Sequence, residues 1–246
     1  MNSEIHLAVD DSNYEAAVRS QTYKLMSSLF EFPNDRRKEE WGQGDIVSAL
    51  RDAVNRLPYA VPAINSFDSF GELSNIDQIY TRIFDNCRGK AAVPIYEKDY
   101  CATDPQQLWE ELIRFYEFFD LQYDLGDCGE WPDHISTELQ FLHYLTFLEA
   151  SRQGHQLESV VTAQKDFLDR HLSCWVPKLV DRLGEFLTAE SDPGPYGPIF
   201  QILKQFIEAD HEFSMKRNDV KSRAQPNSPA IYEEADFYTA QDKASL

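Results

Sequence analysis

Apolar positions recur every three to four residues along most of the chain, and strict alternation of the strand type is hard to find. Between Tyr14 and Phe32, the residues Val18, Leu25, Met26, Leu29 and Phe30 form a helical stripe that stops at Pro33. A charged loop is expected from Asp35 to Glu40, then a helix from about Asp45 to Leu57, closed by Pro58 and Pro62. Ile76, Ile79, Tyr80 and Ile83 fall at helical spacing and predict a third helix from Ser74 to Phe84. Asp85 to Thr103 reads as a loop. Asp104 followed by Pro105 marks a helix start, because the carboxylate caps open amides and proline is tolerated in a first turn. That helix should carry Leu108, Leu112, Phe115 and Phe119. After a loop from Asp120 to Pro132, Asp133 opens a long helix ending near Gly154. Three more are expected, at Leu157 to Leu172, Val176 to Leu187 and Gly197 to Phe213. The predicted fold is all-α, a single helical bundle of about eight helices over residues 1–213. Residues 214–246 are polar, contain Pro226 and Pro229, and are expected to form a mobile tail.

Composition narrows the function. The 246 residues carry a formal net charge of -19, which would repel nucleic-acid phosphates and suits a partner bearing arginines or lysines. An acidic surface that serves only solubility gives the same charge. Only 10 glycines are present, too few to favour the turn-rich nucleotide-binding architectures. The four cysteines, Cys87, Cys101, Cys128 and Cys174, form no C-x-x-C pair, so reduced thiols in a cytoplasmic protein are expected. Met1 to Ser12 lacks the basic and apolar regions of a secretory leader, and no apolar run is long enough to suggest stable membrane insertion.

Catalytic signatures are sparse. Glu208-Ala209-Asp210-His211 supplies one E-x-x-H, whereas a di-iron bundle needs two such motifs and further inward carboxylates. The plainer reading leaves Glu208 and His211 solvated near the end of the last helix. No H-E-x-x-H, G-x-S-x-G or phosphate loop is present. A metal-dependent helical enzyme using His134, Glu138, His171 and His211 remains one alternative, and a structural subunit of a larger complex another.

Three segments combine unusual chemistry with a predicted boundary. In Glu130-Trp131-Pro132-Asp133-His134, proline fixes the start of the long helix, Asp133 can cap it, and His134 can pair with Glu138 one turn later. Tyr80-Thr81-Arg82-Ile83-Phe84 leads into a loop holding Pro94-Ile95-Tyr96-Glu97-Lys98-Asp99-Tyr100, whose aromatics must pack against the core or against a partner. The third runs from Asp166-Phe167 through His171-Leu172 to Trp175.

In this order, and with Arg19 to Pro33 as a first helix, these segments resemble the maturation chaperones of molybdenum enzymes, the TorD, DmsD and NarJ group. The matching motifs are E-x-P-D-H followed by E-L, Y-x-R-L-F, P-L-Y-E-x-x-Y with Ile95 replacing leucine, and D-F-x-x-x-H-L-x-x-W. The pattern is most similar to the subgroup serving ethylbenzene and dimethyl sulfide dehydrogenases and selenate and chlorate reductases.

The resemblance implies an all-helical chaperone without catalytic activity or a cofactor of its own. Its implied partner is a bis-molybdopterin guanine dinucleotide oxidoreductase of the dimethyl sulfoxide reductase superfamily, bound at its catalytic subunit and N-terminal twin-arginine leader until cofactor insertion is complete. Monomer and dimer both fit. Carried over by position, the leader-binding residues are Pro132, Asp133, His134, Tyr80, Phe84, Pro94 and Tyr96, with Glu97 and Glu130 added. Asp133, with Glu97 or Glu130, is expected to face the leader's arginines, and Tyr80, Phe84 and Tyr96 to line an apolar groove.

Overall fold

The computed structural model describes residues 11–43, 46–70, 73–85, 91–123, 130–151, 155–189 and 194–217. Among them every regular element is helical, as the periodicity requires. The helices are α1 (Asp11–Leu29), α2 (Asp35–Gln43), α3 (Ile46–Asn55), α4 (Ile76–Phe84), α5 (Pro105–Phe118), α6 (Ile135–Ser151), α7 (His155–Phe167), α8 (Ser173–Ala189) and α9 (Tyr196–Lys216).

Helix α6 is the axis of the bundle. Ile135, Leu139, Phe141, Leu142, Leu145 and Leu148 are buried along it, together with Ser136, Thr137, Glu138, Thr146 and Glu149. A helix buried on several faces needs neighbours all round. Helix α1 lies along it, α7 packs beside it, and α9 packs against both α7 and α8. Two aromatic clusters fill the interior. Phe141, Phe167, Tyr116 and Phe119 meet beside α6, while Phe84, Tyr196, Phe200 and Phe30 meet beside α9. Edge-to-face geometry such as the 90° between Phe84 and Tyr196 sets the electropositive ring edge on the electronegative face.

A charged group also lies in this interior. Arg19 of α1 donates to Asp210 of α9 from Nε (2.6 Å) and Nη2 (2.9 Å), and to Glu149 of α6 from Nη1 (3.1 Å). Tyr23 and Tyr59 donate hydroxyls to Asp210, Ser214 accepts from Arg19, and Arg217 pairs with Glu149. Pairing and hydrogen bonding together offset the cost of burying these ions, the condition under which such a cluster is tolerated.

Several local expectations change. The Asp35 to Glu40 stretch is helical within α2: Asn34 caps it by accepting from the Arg37 amide at 2.9 Å, and Trp41 anchors it by stacking on Phe70. The predicted Leu157–Leu172 and Val176–Leu187 helices are one run, because a π-helical turn, Leu168–Leu172, joins α7 to α8. Pro177 lies inside this run, five residues beyond the π-helical turn. Helix α9 passes Phe213 to reach Lys216, and Ser214 is buried against Arg19. The residues 218–246 assigned to the tail lie outside the described residues. The Asp104 cap forms as expected, with Oδ1 accepting from the Gln106 and Gln107 amides.

Candidate functional site

The start of α6 is built from two loops brought together by backbone pairing. Glu97 N–H donates to Asp133 O at 2.9 Å and Ile135 N–H to Ile95 O at 3.0 Å, so Tyr96 and His134 form an isolated antiparallel bridge. Short chain segments around Pro94 and Pro132, which have few other backbone partners, thereby become a fixed platform. Pro94 and Pro132 are buried in it.

Asp133 ties this platform to α5. Its Oδ1 accepts from Trp109 Nε1 at 2.7 Å and its Oδ2 from the Lys98 amide at 3.1 Å. With both oxygens engaged and the residue 0% exposed, Asp133 neither caps α6 nor faces solvent. The cap comes from His134, whose Nδ1 accepts from the Ser136 amide at 3.2 Å and lies 2.6 Å from Ser136 Oγ. That arrangement puts the ring proton on Nε2. Burial, and then the charge of Lys98, hold His134 down to about 3, so it is neutral at ordinary pH. The expected His134–Glu138 pair does not form: Glu138 accepts from Trp175 Nε1 at 3.0 Å instead. Burial and the neighbouring Glu97 charge push the Glu138 carboxyl well up.

The carboxylate that stands open at this turn is Glu130, with its side chain 44% exposed. Its Oε2 accepts from Tyr96 Oη at 2.8 Å. Burial raises its pKa, and the Tyr96 hydrogen bond partly opposes the rise. Beside it, Trp109 and Trp131 stack with centroids 4.4 Å apart. The ammonium of Lys98 lies 4.6 Å from the Tyr96 centroid, 5.0 Å from Trp109 and 5.3 Å from Trp131. Lys98, Trp109 and Trp131 were not singled out by sequence reasoning. The available signal was a tryptophan directly before Pro132-Asp133 and a lone lysine within an acidic, aromatic loop.

The other candidate residues sit deeper. Glu97 is 3% exposed and accepts from His171 Nδ1 at 2.9 Å, which explains why the D-F-x-x-x-H-L-x-x-W segment belongs with the loop. Tyr80 and Phe84 are core residues: Tyr80 donates to Phe30 O at 3.0 Å, and Phe84 stacks on Phe200. They do not line an open groove. A groove does exist between α5 and α7, of roughly 820 Å³, with Phe115, Phe118 and Phe119 along it and a charged lining of Glu110, Glu111, Glu158 and Asp166 with Arg114 and Arg170. Phe118 is 71% exposed there. Helix α5 thus contributes Trp109 to the turn and Phe118 to the groove.

The E-x-x-H pair is dispersed. Glu208 is exposed, and His211 Nε2 lies 3.0 Å from Asp169. Among the described residues no group of three His, Cys, Asp or Glu side chains is disposed to hold a metal ion, and no helix is long and apolar enough to cross a membrane.

Comparison with known proteins places these elements in a lineage. The chain is 41% identical over 133 residues to the selenate reductase assembly chaperone protein of Thauera selenatis, covering 53% of this chain and 65% of that protein. It is 37% identical to the chlorate reductase assembly chaperone protein of Ideonella dechloratans, over 47% of this chain and 61% of the relative. The chain therefore spans less than two thirds of the length of these two relatives. The perchlorate reductase assembly chaperone protein of Dechloromonas aromatica is 25% identical over 72% of this chain and 83% of its own. The pattern of the family described as nitrate reductase delta subunit matches residues 49–181. That interval contains α4, the Tyr96–His134 platform and the His171–Trp175 segment, and by this match over more than half its length the chain belongs to the nitrate reductase delta subunit family.

Proposed function

We propose that the protein is a cytoplasmic maturation chaperone for a molybdenum oxidoreductase, and that it binds the apo catalytic subunit and its twin-arginine leader while the cofactor is inserted. The observation that carries this reading is the platform at the start of α6, where the residues that define the resemblance converge and leave Glu130, Tyr96 and Trp131 at the surface. The assembly-chaperone names of the relatives support the same class of client. The leader's basic part would meet Glu130 and the ring cluster, and its apolar part would lie in the α5–α7 groove, not against Tyr80 and Phe84. Exposed phenylalanine and a lining in which four carboxylates stand with two guanidiniums suit a helix that is basic at one end and apolar along one face. His134 serves as a cap and Asp133 as a brace, and neither needs a chemical step.

The test is recovery of the tagged full chain from its native cells, with identification of what accompanies it by mass spectrometry. A molybdoenzyme catalytic subunit with its leader attached is the expected companion. Recovery of that subunit equally well after leader deletion would move the main contact to the folded subunit. Absence of any molybdoenzyme where one is expressed would overturn the proposal.

A further inference from the structure

Lys98 occupies an unusual place for a cation. Its ammonium sits against three rings, Tyr96, Trp109 and Trp131, yet among the described residues no carboxylate lies within ion-pair distance of it. In a chain of net charge -19 acidic partners are plentiful, so a lysine set against three rings, with Asp133 acting on its charge only from a distance, marks those rings as a cation site. Aromatic cages of this kind bind ammonium and guanidinium groups through the negative faces of the rings. The cage is braced from behind: Asp133 fixes the Trp109 indole through Nε1 and the Lys98 backbone through its amide. It is open in front, because Trp131 is 43% exposed, and Glu130 stands at its rim through its bond to Tyr96.

We propose that the cage of Tyr96, Trp109 and Trp131 is the seat of an arginine side chain of the partner, and that Lys98 is its resident substitute, expelled when the partner arrives. This rests on the chaperone reading above. An arginine is the better occupant on physical grounds. Its flat guanidinium stacks on an indole while its edge donates to a carboxylate, and it sheds water more readily than an ammonium. Lysine, tethered by its own backbone, offers a point charge and leaves Glu130 without a bidentate donor. The device keeps a cation against the rings in the free protein and makes partner binding an exchange of one cation for another. It also accounts for Asp133 without exposing it: the carboxylate positions the cage and touches no ligand.

The test uses the full chain and two synthetic peptides, one with adjacent arginines followed by an apolar stretch, the other with both arginines replaced by glutamine. Binding is followed by fluorescence anisotropy and by the emission of the tryptophans. The wild type should prefer the arginine peptide. Lys98→Ala should bind that peptide tighter by roughly three- to tenfold, the loss of a competing cation–π contact, while the free protein melts at a lower temperature. Affinity and stability therefore move in opposite directions, which a merely structural lysine would not produce. Trp131→Ala, altered at an exposed position, should abolish the preference between the peptides. If the wild type prefers the arginine peptide but Lys98→Ala binds it equally or more weakly, or Trp131→Ala keeps the preference, the cage proposal fails and the chaperone reading stands. If the wild type binds neither peptide, the leader-binding reading fails and the cage falls with it.

Discussion

Replacing Arg19 by leucine removes a cation that touches both Asp210 and Glu149 inside the bundle. The two carboxylates would then be buried with fewer donors, a situation that costs about 3–5 kcal/mol of stability. Urea unfolding of Arg19→Leu should show a loss of that size, and a loss below about 1 kcal/mol would mean that the cluster relaxes without its centre. His134 governs a different behaviour. Its native pKa of about 3 lies below the value of about 6.5 expected in the unfolded chain. The unfolded state therefore takes up a proton first as pH falls, and stability attached to His134 is complete above about pH 6.5 and declines by up to about 1.4 kcal/mol per unit below it. His134→Gln lacks this dependence. The stability gap between wild type and His134→Gln should narrow between about pH 6.5 and pH 4, and a gap constant across that interval would show that the ring titrates normally. Glu149, held near 2 chiefly by Arg19 against the opposing effect of burial, contributes in a lower window, beginning where an unfolded glutamate protonates at about 4.3.

Helices differ in what a substitution should do to them. Leu142 lies wholly buried on α6, and Leu142→Ala should lower stability by about 2–5 kcal/mol. Phe118 lies mostly exposed on α5; Phe118→Ala should leave the melting temperature unchanged and weaken binding of a leader's apolar stretch in calorimetry. Unchanged binding would remove the α5–α7 groove from the proposed function. The contrast follows the same distinction that decided which features could be read from sequence. Apolar spacing placed the stripes of α1, α4, α5, α6 and α9 because burial acts residue by residue along a helix. It missed α2, whose nine residues are held by the Asn34 cap, by Trp41 and by ion pairs of Arg37 with Glu31 and Lys38 with Asp77, and it split α7 from α8 at a π-helical turn that no propensity announces. At the site, the sequence singled out Asp133 and His134, but their partners are set by distant segments. Trp109 from α5 and Lys98 from the 97–99 turn claim Asp133, which leaves the cap to His134. Arg19 was in principle visible, since it shares a helical stripe with Tyr23, Met26 and Phe30, all buried; its counter-ions are more than a hundred positions away.

For the molecule as a whole, charge sets how partners approach. A net charge of -19 surrounds a groove and a turn whose proposed ligand is basic, so long-range attraction should speed encounter. The association rate with an arginine-bearing leader peptide, measured by stopped-flow fluorescence, should fall severalfold as ionic strength rises from about 50 mM to about 500 mM, because the screening length shortens to a few ångström. Dissociation should change far less, being set by the apolar contacts along α5 and α7. A salt-independent association rate would place recognition in the groove and leave the acidic surface as a solubilising feature.

The distance along the chain between Arg19 and Asp210 also has a meaning in time. The partners stand 191 positions apart, and at a synthesis rate of roughly 5–20 residues per second the second emerges about 10–40 s after the first. Glu149 on α6, 130 positions on, reaches the guanidinium earlier, but the two-point pairing with Asp210 waits for α9. Completion of the bundle is thereby deferred until α9 is made, and a product broken off before it keeps the Arg19–Glu149 pair but loses the Asp210 half of the cluster.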